Sequence, residues 1–492
     1  MKRIITLVVM LFFIVPLKAQ VGNESWEEYQ QRIKKEMQNY TGSVRHDYEE
    51  FRRQANEEYA QFMRERWEEF QGMKGVPVPE IPEPSKPYER EKDTPVPELP
   101  IKFDKVITIP TPNPQPIEPL KRPESPVIPN TPKLPVFDFT CYGTLLSVHM
   151  DNNLRISLKD ISENSVADAW EQLASESSKE LLDDCLALRD ELNLGDWAYY
   201  CMIRDFSEQY LGKDSDEAVV MKTYLMAQSG YKVRIGRKDK HLIILIPFDG
   251  MVFETTYLSF AGECFYDVDS NKGGTYYAFN RSFTDNDRVL SLRMPATPRL
   301  AFKSAGEKTF ASKRYPELTV TLTVNKNLME FYNSYPKCQW TNYSWAGISE
   351  EVKTKLYPVL RAGIEGKNQI EAANRLINFV QTAFEYKTDG QQFGYERSLF
   401  ADETFYYPFS DCEDRSILFS ILVHDLLGLD VVLIQYPDHL ATAVRYTESL
   451  NGSYVILDGQ NYYISDPTYI GAEVGECMPR YAKTKPAVYK LK

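Results

Sequence analysis

Residues 410–428 read Ser-Asp-Cys-Glu-Asp-Arg-Ser-Ile-Leu-Phe-Ser-Ile-Leu-Val-His-Asp-Leu-Leu-Gly. The run from Ser416 to Val423 is apolar apart from serines, and it predicts a helix from about Glu413 to Leu427. Acidic residues suit the first turn of such a helix, where the macrodipole is positive. Cys412 stands at that end, and the same dipole favours the nucleophilic thiolate. Asp411, Glu413 and Asp414 act the other way, because nearby negative charge raises a thiol's pKa.

Downstream, strands are expected at Val431–Gln435, Ala441–Tyr446, Tyr454–Leu457 and Asn461–Ser465. Two further pieces stand out, Asp438-His-Leu-Ala-Thr-Ala443 and Tyr463-Ile-Ser-Asp-Pro-Thr468. His439 falls at the start of one strand and Asp466 at the end of a later one. Adjacent strands facing the helix start would bring imidazole to thiol and carboxylate to imidazole. A nucleophile, a base and an orienting carboxylate are the parts of an acyl-transfer site.

Taken together, the order Cys, His, Asp, the D-C-E-D-R helix start and the Y-x-x-D-P-T ending resemble the transglutaminase-like superfamily of cysteine proteases and acyltransferases. The resemblance covers residues 369–476. It implies Cys412 as nucleophile, His439 as general base and acid, and Asp466 as the residue that orients His439. It also implies an oxyanion hole built in part from the Cys412 backbone N–H. The aromatic segment Phe405-Tyr406-Tyr407 is a candidate source of a second donor, with no motif to fix which residue.

The region upstream repeats the pattern. Gly230 and His241 precede Gly428 and His439 by one shared interval, and Gly262-Glu-Cys-Phe-Tyr-Asp-Val-Asp269 lies over Gly459-Gln-Asn-Tyr-Tyr-Ile-Ser-Asp466. In this alignment the thiol's position falls on Asp214 or Ser215. The copy therefore reads as a degenerate domain, with Ser215, His241 and Asp269 as non-catalytic equivalents of the triad.

The 492-residue chain opens Met-Lys-Arg, followed by a short apolar run from Ile4 to Leu17 and then Ala19. That is the pattern of a secretory signal peptide over 1–20, too short for a membrane span. Export to the periplasm, cell surface or medium is expected, with no span after cleavage. Residues 21–75 read as an amphipathic helical segment, with Val44, Tyr48, Phe51, Ala55, Tyr59, Phe62 and Phe70 on one face and a break at Thr41-Gly42. It either docks on its own protein or, over residues 24–74, serves self-association or a protein partner. Residues 76–136 are a Pro-rich linker; Pro77–Pro135 holds 18 of the 30 prolines and no glycine. Polyproline II is the default there, and it reads as a spacer.

The expected class is α+β. Two transglutaminase-like (papain-like) domains, the degenerate one at 137–280 and the catalytic one at 349–492, are joined by a β-rich region at 281–348. A net charge of −13 argues against a nucleic-acid partner. No zinc-type Cys/His spacing and no D-x-D-x-D-G loop occurs, so no metal or cofactor is expected. In an oxidising compartment, the seven cysteines would tend to pair, leaving one thiol over. The leading reading is an exported Cys-His-Asp peptidase or amidase acting on a peptide or protein through a thioester. The alternative is a non-catalytic surface or scaffold protein built on the same folds.

Overall fold

The computed structural model describes residues 49–79, 86–90, 101–104, 106–109, 134–175, 178–270, 274–283 and 288–491. The expected signal peptide and the Thr41-Gly42 break lie outside the described residues. Ala55–Leu120 and Asn130–Lys492 belong to one compact unit.

The class is α+β. Each half is built around a helix buried on nearly every side. In the first half, helix α1 (Asp196–Leu211) packs on α2 (Asp216–Gln228), and every residue from Ala218 to Gln228 is buried. Five strands follow: β1 (Arg234–Lys238), β2 (His241–Ile246), β3 (Tyr257–Phe260), β4 (Glu263–Asp267) and β5 (Thr275–Ala278). They form an antiparallel sheet in the order β5-β1-β2-β4-β3. In the second half α3 (Gln369–Ala383) packs on α4 (Cys412–Leu427), which is buried from Cys412 to Val423. Then come β6 (Asp430–Tyr436), β7 (His439–Arg445), β8 (Tyr454–Leu457), β9 (Gln460–Ser465) and β10 (Ala487–Lys490). Their order is β10-β6-β7-β9-β8, again antiparallel. The connectivity is the same in both halves.

Register agrees as well as order. Leu245 faces Asp267 and Ile246 faces Tyr266; Ala443 faces Ile464 and Val444 faces Tyr463. These pairs superpose the two halves with His241 on His439 and Asp269 on Asp466. The β3–β4 and β8–β9 hairpins both turn on two residues of positive φ, Ala261-Gly262 and Asp458-Gly459. That is the type I′ signature, whose twist matches the strands.

Both sheets are curled and closed by upstream chain. Glu68–Gln71 pairs with β5 at one edge, and Met73 bridges Tyr257 on β3 at the other edge. Two residues reach about 7 Å, whereas the outer sides of a flat five-stranded sheet, six steps apart, would be roughly 29 Å apart. In the second half Lys102–Phe103 pairs with β8 and Ile107–Ile109 with β10, the opposite edges. The chain from 103 to 107 reaches at most about 14 Å, against roughly 29 Å for a flat sheet. Closure of this kind leaves no edge of either five-stranded sheet unpaired.

This corrects the spacer reading of the Pro-rich stretch. Lys86–Arg90, Lys102–Phe103 and Ile107–Ile109 lie against the second half, while Val76 bridges Phe253 in the first, and prolines are compatible because the added strands sit at sheet edges. The helical reading of 24–74 is corrected at its end. The helix stops at Met63, and Phe70 lies on the strand Glu68–Gln71, because pairing with β5 outweighs the local period. Tyr59 is buried against Trp170 and Phe283, with ring centroids 4.9 and 5.5 Å away, so residues 55–63 dock on their own protein.

The β-rich reading of 281–348 holds for one hairpin, Lys308–Ala311 with Thr319–Leu322, where Thr and Val/Leu alternate outward and inward. Helices follow at Lys326–Asn333, capped by Asn325, and at Trp340–Ala346. They lie between the halves rather than forming a linker: Tyr335 touches both Trp197 and Phe400, and one hydrophobic core runs through both halves.

Candidate functional site

The buried start of α4 is where the second half concentrates its polar groups. Asp411 precedes the helix in extended conformation, and Cys412 is its first residue, fully buried at 0% exposure. The Cys412 Sγ accepts the backbone N–H of Leu440 at 3.2 Å, and its S–H donates to a Glu413 carboxylate oxygen at 3.3 Å. One turn on, the Ser416 hydroxyl donates to the Leu440 carbonyl at 3.1 Å. The helix start is thus fastened to the residue beside His439.

His439 opens β7 and Asp466 follows the last residue of β9. Thr442 pairs with Ser465 in that antiparallel register, so both side chains reach the same end of the sheet. His439 Nε2 meets Asp466 Oδ2 at 2.8 Å, at 1% and 3% exposure. Asp466 Oδ1 accepts the N–H groups of Thr468 and Tyr469 at 2.9 and 3.2 Å, which fixes the carboxylate. His439 Nδ1 is buried and has no hydrogen-bond partner. It is not bonded to Cys412 here, although the next amide along, Leu440 N–H, is.

Several supporting residues carried no sequence signal. Gln381, on α3, donates to the carbonyls of Asp466, Tyr469 and Ala472 at 3.2, 2.7 and 3.1 Å, and accepts from Gly471 N–H at 3.2 Å. One amide so holds the whole Asp-Pro-Thr loop. Tyr481 lies parallel to the His439 ring, centroids 5.6 Å apart, and its hydroxyl donates to Asp438 Oδ1 at 2.8 Å. Arg415 is buried and donates to Ser410 Oγ and to the carbonyls of Gln381 and Phe384, so its role is structural.

The acidic crowding around the thiol is weaker than a count of acids implies. Asp389, Asp411 and Asp414 are buried together, with carboxylate oxygens within 4.8 Å of one another. Burial, reinforced by Asp414 and Glu413, pushes Asp389 up to about 9. Burial also pushes Asp411 and Asp414 well above the ordinary carboxylate range, with Glu413 and Asp389 adding to the effect on Asp411 and Asp411 to that on Asp414. Protons therefore offset part of their charge at neutral pH. Among the described residues, these three carboxylates are by donor chemistry the group that could hold a hard cation.

The first half differs at each place. Ser215 is the N-cap of α2, its hydroxyl accepting Ala218 N–H at 3.1 Å, and so corresponds to Asp411. The thiol's place belongs to Asp216, the first residue of the helix, which corrects the assignment to Asp214 or Ser215. The Asp216 carboxylate accepts Leu242 N–H at 2.6 Å, as the Cys412 sulfur accepts Leu440 N–H. From helix start to strand the first half is two residues shorter, Asp216 to His241 against Cys412 to His439, which a constant interval does not show. His241 is 73% exposed, with Nδ1 3.9 Å from Asp216. Asp269 has other partners, Lys222 and the Tyr200 hydroxyl. No Cys-His-Asp set exists among the described residues of this half.

All seven cysteines are thiols, and only Cys264 is even partly exposed. The odd count therefore does not single out Cys412. A separate cavity at the far end of α4, bordered by Ser420, His424, Asp425 and Trp345, contains none of the triad. No family model, curated protein or solved structure matches the chain.

Proposed function

We propose that the second half is the cysteine acyl-transfer site, of transglutaminase-like type, of an exported enzyme that acts as a peptidase or amidase on a peptide or protein. One observation carries this reading. His439 is buried with Nε2 fixed on Asp466 and Nδ1 without a partner, beside an amide that already binds the Cys412 sulfur. A structural histidine buried this deeply would ordinarily have both nitrogens satisfied.

His439 Nδ1 takes the thiol proton, and the sulfur attacks the substrate's amide carbonyl carbon, forming a C–S bond. Collapse of the tetrahedral species breaks the C–N bond, and His439 returns its proton to the leaving amine. Water, deprotonated by His439, then attacks the thioester, releasing a carboxylic acid and restoring the thiol. Asp466 holds the imidazole in the tautomer that leaves Nδ1 able to accept. The Cys412 N–H, at a helix start, is one oxyanion donor.

The test is peptide or amide turnover with Cys412→Ala, together with alkylation of Cys412 in wild type and His439→Ala. Loss of turnover in the first, and slower Cys412 alkylation in the second, are the expected results. Turnover unchanged by Cys412→Ala rejects the reading and leaves the non-catalytic scaffold.

A further inference from the structure

The triad is closed: none of its three side chains is more than 3% exposed, so substrate cannot meet the thiol in this conformation. What closes it can be followed outward. Tyr481 lies on the imidazole, its ring tilted by only 2°. Arg480, the residue before it, forms an ion pair with Asp438, the residue before His439. The Arg480 guanidinium is also 4.8 Å from the centre of the Tyr88 ring.

Tyr88 comes from the Pro-rich stretch and is anchored there by backbone. The Tyr88 carbonyl accepts Ile470 N–H at 2.8 Å, and Arg90 N–H donates to the Ile470 carbonyl at 2.9 Å. Arg90 adds an ion pair with Glu476 at 3.1 Å. Ile470 lies four residues beyond Asp466, in the loop that Gln381 holds. The segment Lys86–Arg90 thus grips both the loop carrying the carboxylate and the residue that carries Tyr481.

We propose that Lys86–Arg90 is an intramolecular inhibitory strap, which holds Arg480 and Tyr481 down over His439 and is displaced to open the Cys412 site. Its contacts are suited to release. Besides the packing of the half-buried Tyr88 ring on the apolar core of the second sheet, they comprise two main-chain hydrogen bonds, one partly exposed ion pair and one cation–π contact. The inference rests on the acyl-transfer reading for its purpose, but the closure itself can be tested without it.

The experiment is alkylation of the full chain with iodoacetamide, with peptide-resolved mass spectrometry at Cys412 and at Cys201, which is buried in the first half. The double variant Tyr88→Ala/Arg90→Ala is expected to label about tenfold faster at Cys412, with Cys201 unchanged. Tyr88→Phe, which keeps a ring over Arg480, should label at the wild-type rate. Equal Cys412 rates in wild type and the double variant, or a Phe variant as fast as the Ala one, overturn the strap.

A second measurement, on wild type alone, covers the case in which the variant unfolds. Cys412 alkylation should share the opening free energy of the Ile470 and Arg90 amides in hydrogen exchange, and exceed Cys201 alkylation. Cys412 labelling that tracks Cys201 instead overturns the proposal. Accelerated labelling in the strap variant, without turnover and without dependence on His439, rejects the enzyme and keeps the strap.

Discussion

The two halves share helix, strand order, register and a closing segment, yet among the described residues only the second gathers a cysteine, a histidine and an aspartate at the helix start. The difference lies in side chains at three equivalent places and in one connection. Asp216, His241 and Asp269 stand where Cys412, His439 and Asp466 stand. In the first half the carboxylate is drawn away by Lys222 and the histidine turns to solvent. Between the two helices, the first half has only residues 212–215, whereas the second has 384–411. That longer connection supplies Asp389, Asp402 and Glu403, all buried. The barrel fixes positions in space, and chemistry depends on what is hung there.

The largest effect expected from this comparison is a pair of matched substitutions. In Asp466→Asn, Oδ1 can still accept from Thr468 and Tyr469, but the amide replacing Oδ2 donates to Nε2. The proton moves to Nδ1, which can no longer take one from Cys412. Turnover should fall on the order of 10³- to 10⁴-fold, with little change in thermal midpoint. Asp269→Asn should do the reverse. Turnover is retained, while the buried Lys222 ammonium loses its counter-charge at a cost of about 1–3 kcal/mol. Activity assays and denaturant melts on both variants check this; an equal loss of turnover in both breaks the assignment of one active and one inactive half.

How much of this was legible in the sequence follows from locality. The helix over 412–427 and the strands after it could be read because apolar period and glycine punctuation act over a few residues. Cys412, His439 and Asp466 were legible through their order and motif context. The closing strands were not, since Lys102–Phe103 and Ile107–Ile109 lie among prolines and gain their conformation from partners more than 350 residues away. Gln381, Tyr481 and Asp389 were invisible for the same reason. Each acts through a loop or helix distant in sequence, and Gln, Tyr and Asp at those positions carry no pattern. Asp216, one residue beyond Ser215, was missed because an alignment by constant interval cannot sense a helix and strand that together run two residues shorter from Asp216 to His241 than from Cys412 to His439.

A smaller effect tests the acids that only the second half contains. Asp389, held at about 9, keeps a proton in the folded state that the unfolded chain releases near pH 4. Its contribution to stability is therefore complete below about pH 4, declines as pH rises, and is lost by about pH 9. Thermal midpoints should fall across that window in wild type. In Asp389→Asn the slope should be shallower by about one bound proton. An unaltered slope would place the proton elsewhere in the Asp389–Asp411–Asp414 group.

The smallest effect concerns a difference between turns that are otherwise alike. Both β3–β4 and β8–β9 place a residue at positive φ before a glycine, 51° at Ala261 and 50° at Asp458. Alanine has no side-chain group to compensate that conformation, whereas Asp and Asn tolerate it through local hydrogen bonding. Ala261→Asn should stabilise the first half by roughly 0.5–1 kcal/mol, a rise of one or two degrees in a chain of this size. Exchanging Asp458 for Ala should cost a similar amount. Opposite signs in differential scanning calorimetry are required if the two hairpins are the same turn; matching signs would mean that one is held by its surroundings, not by its own residues.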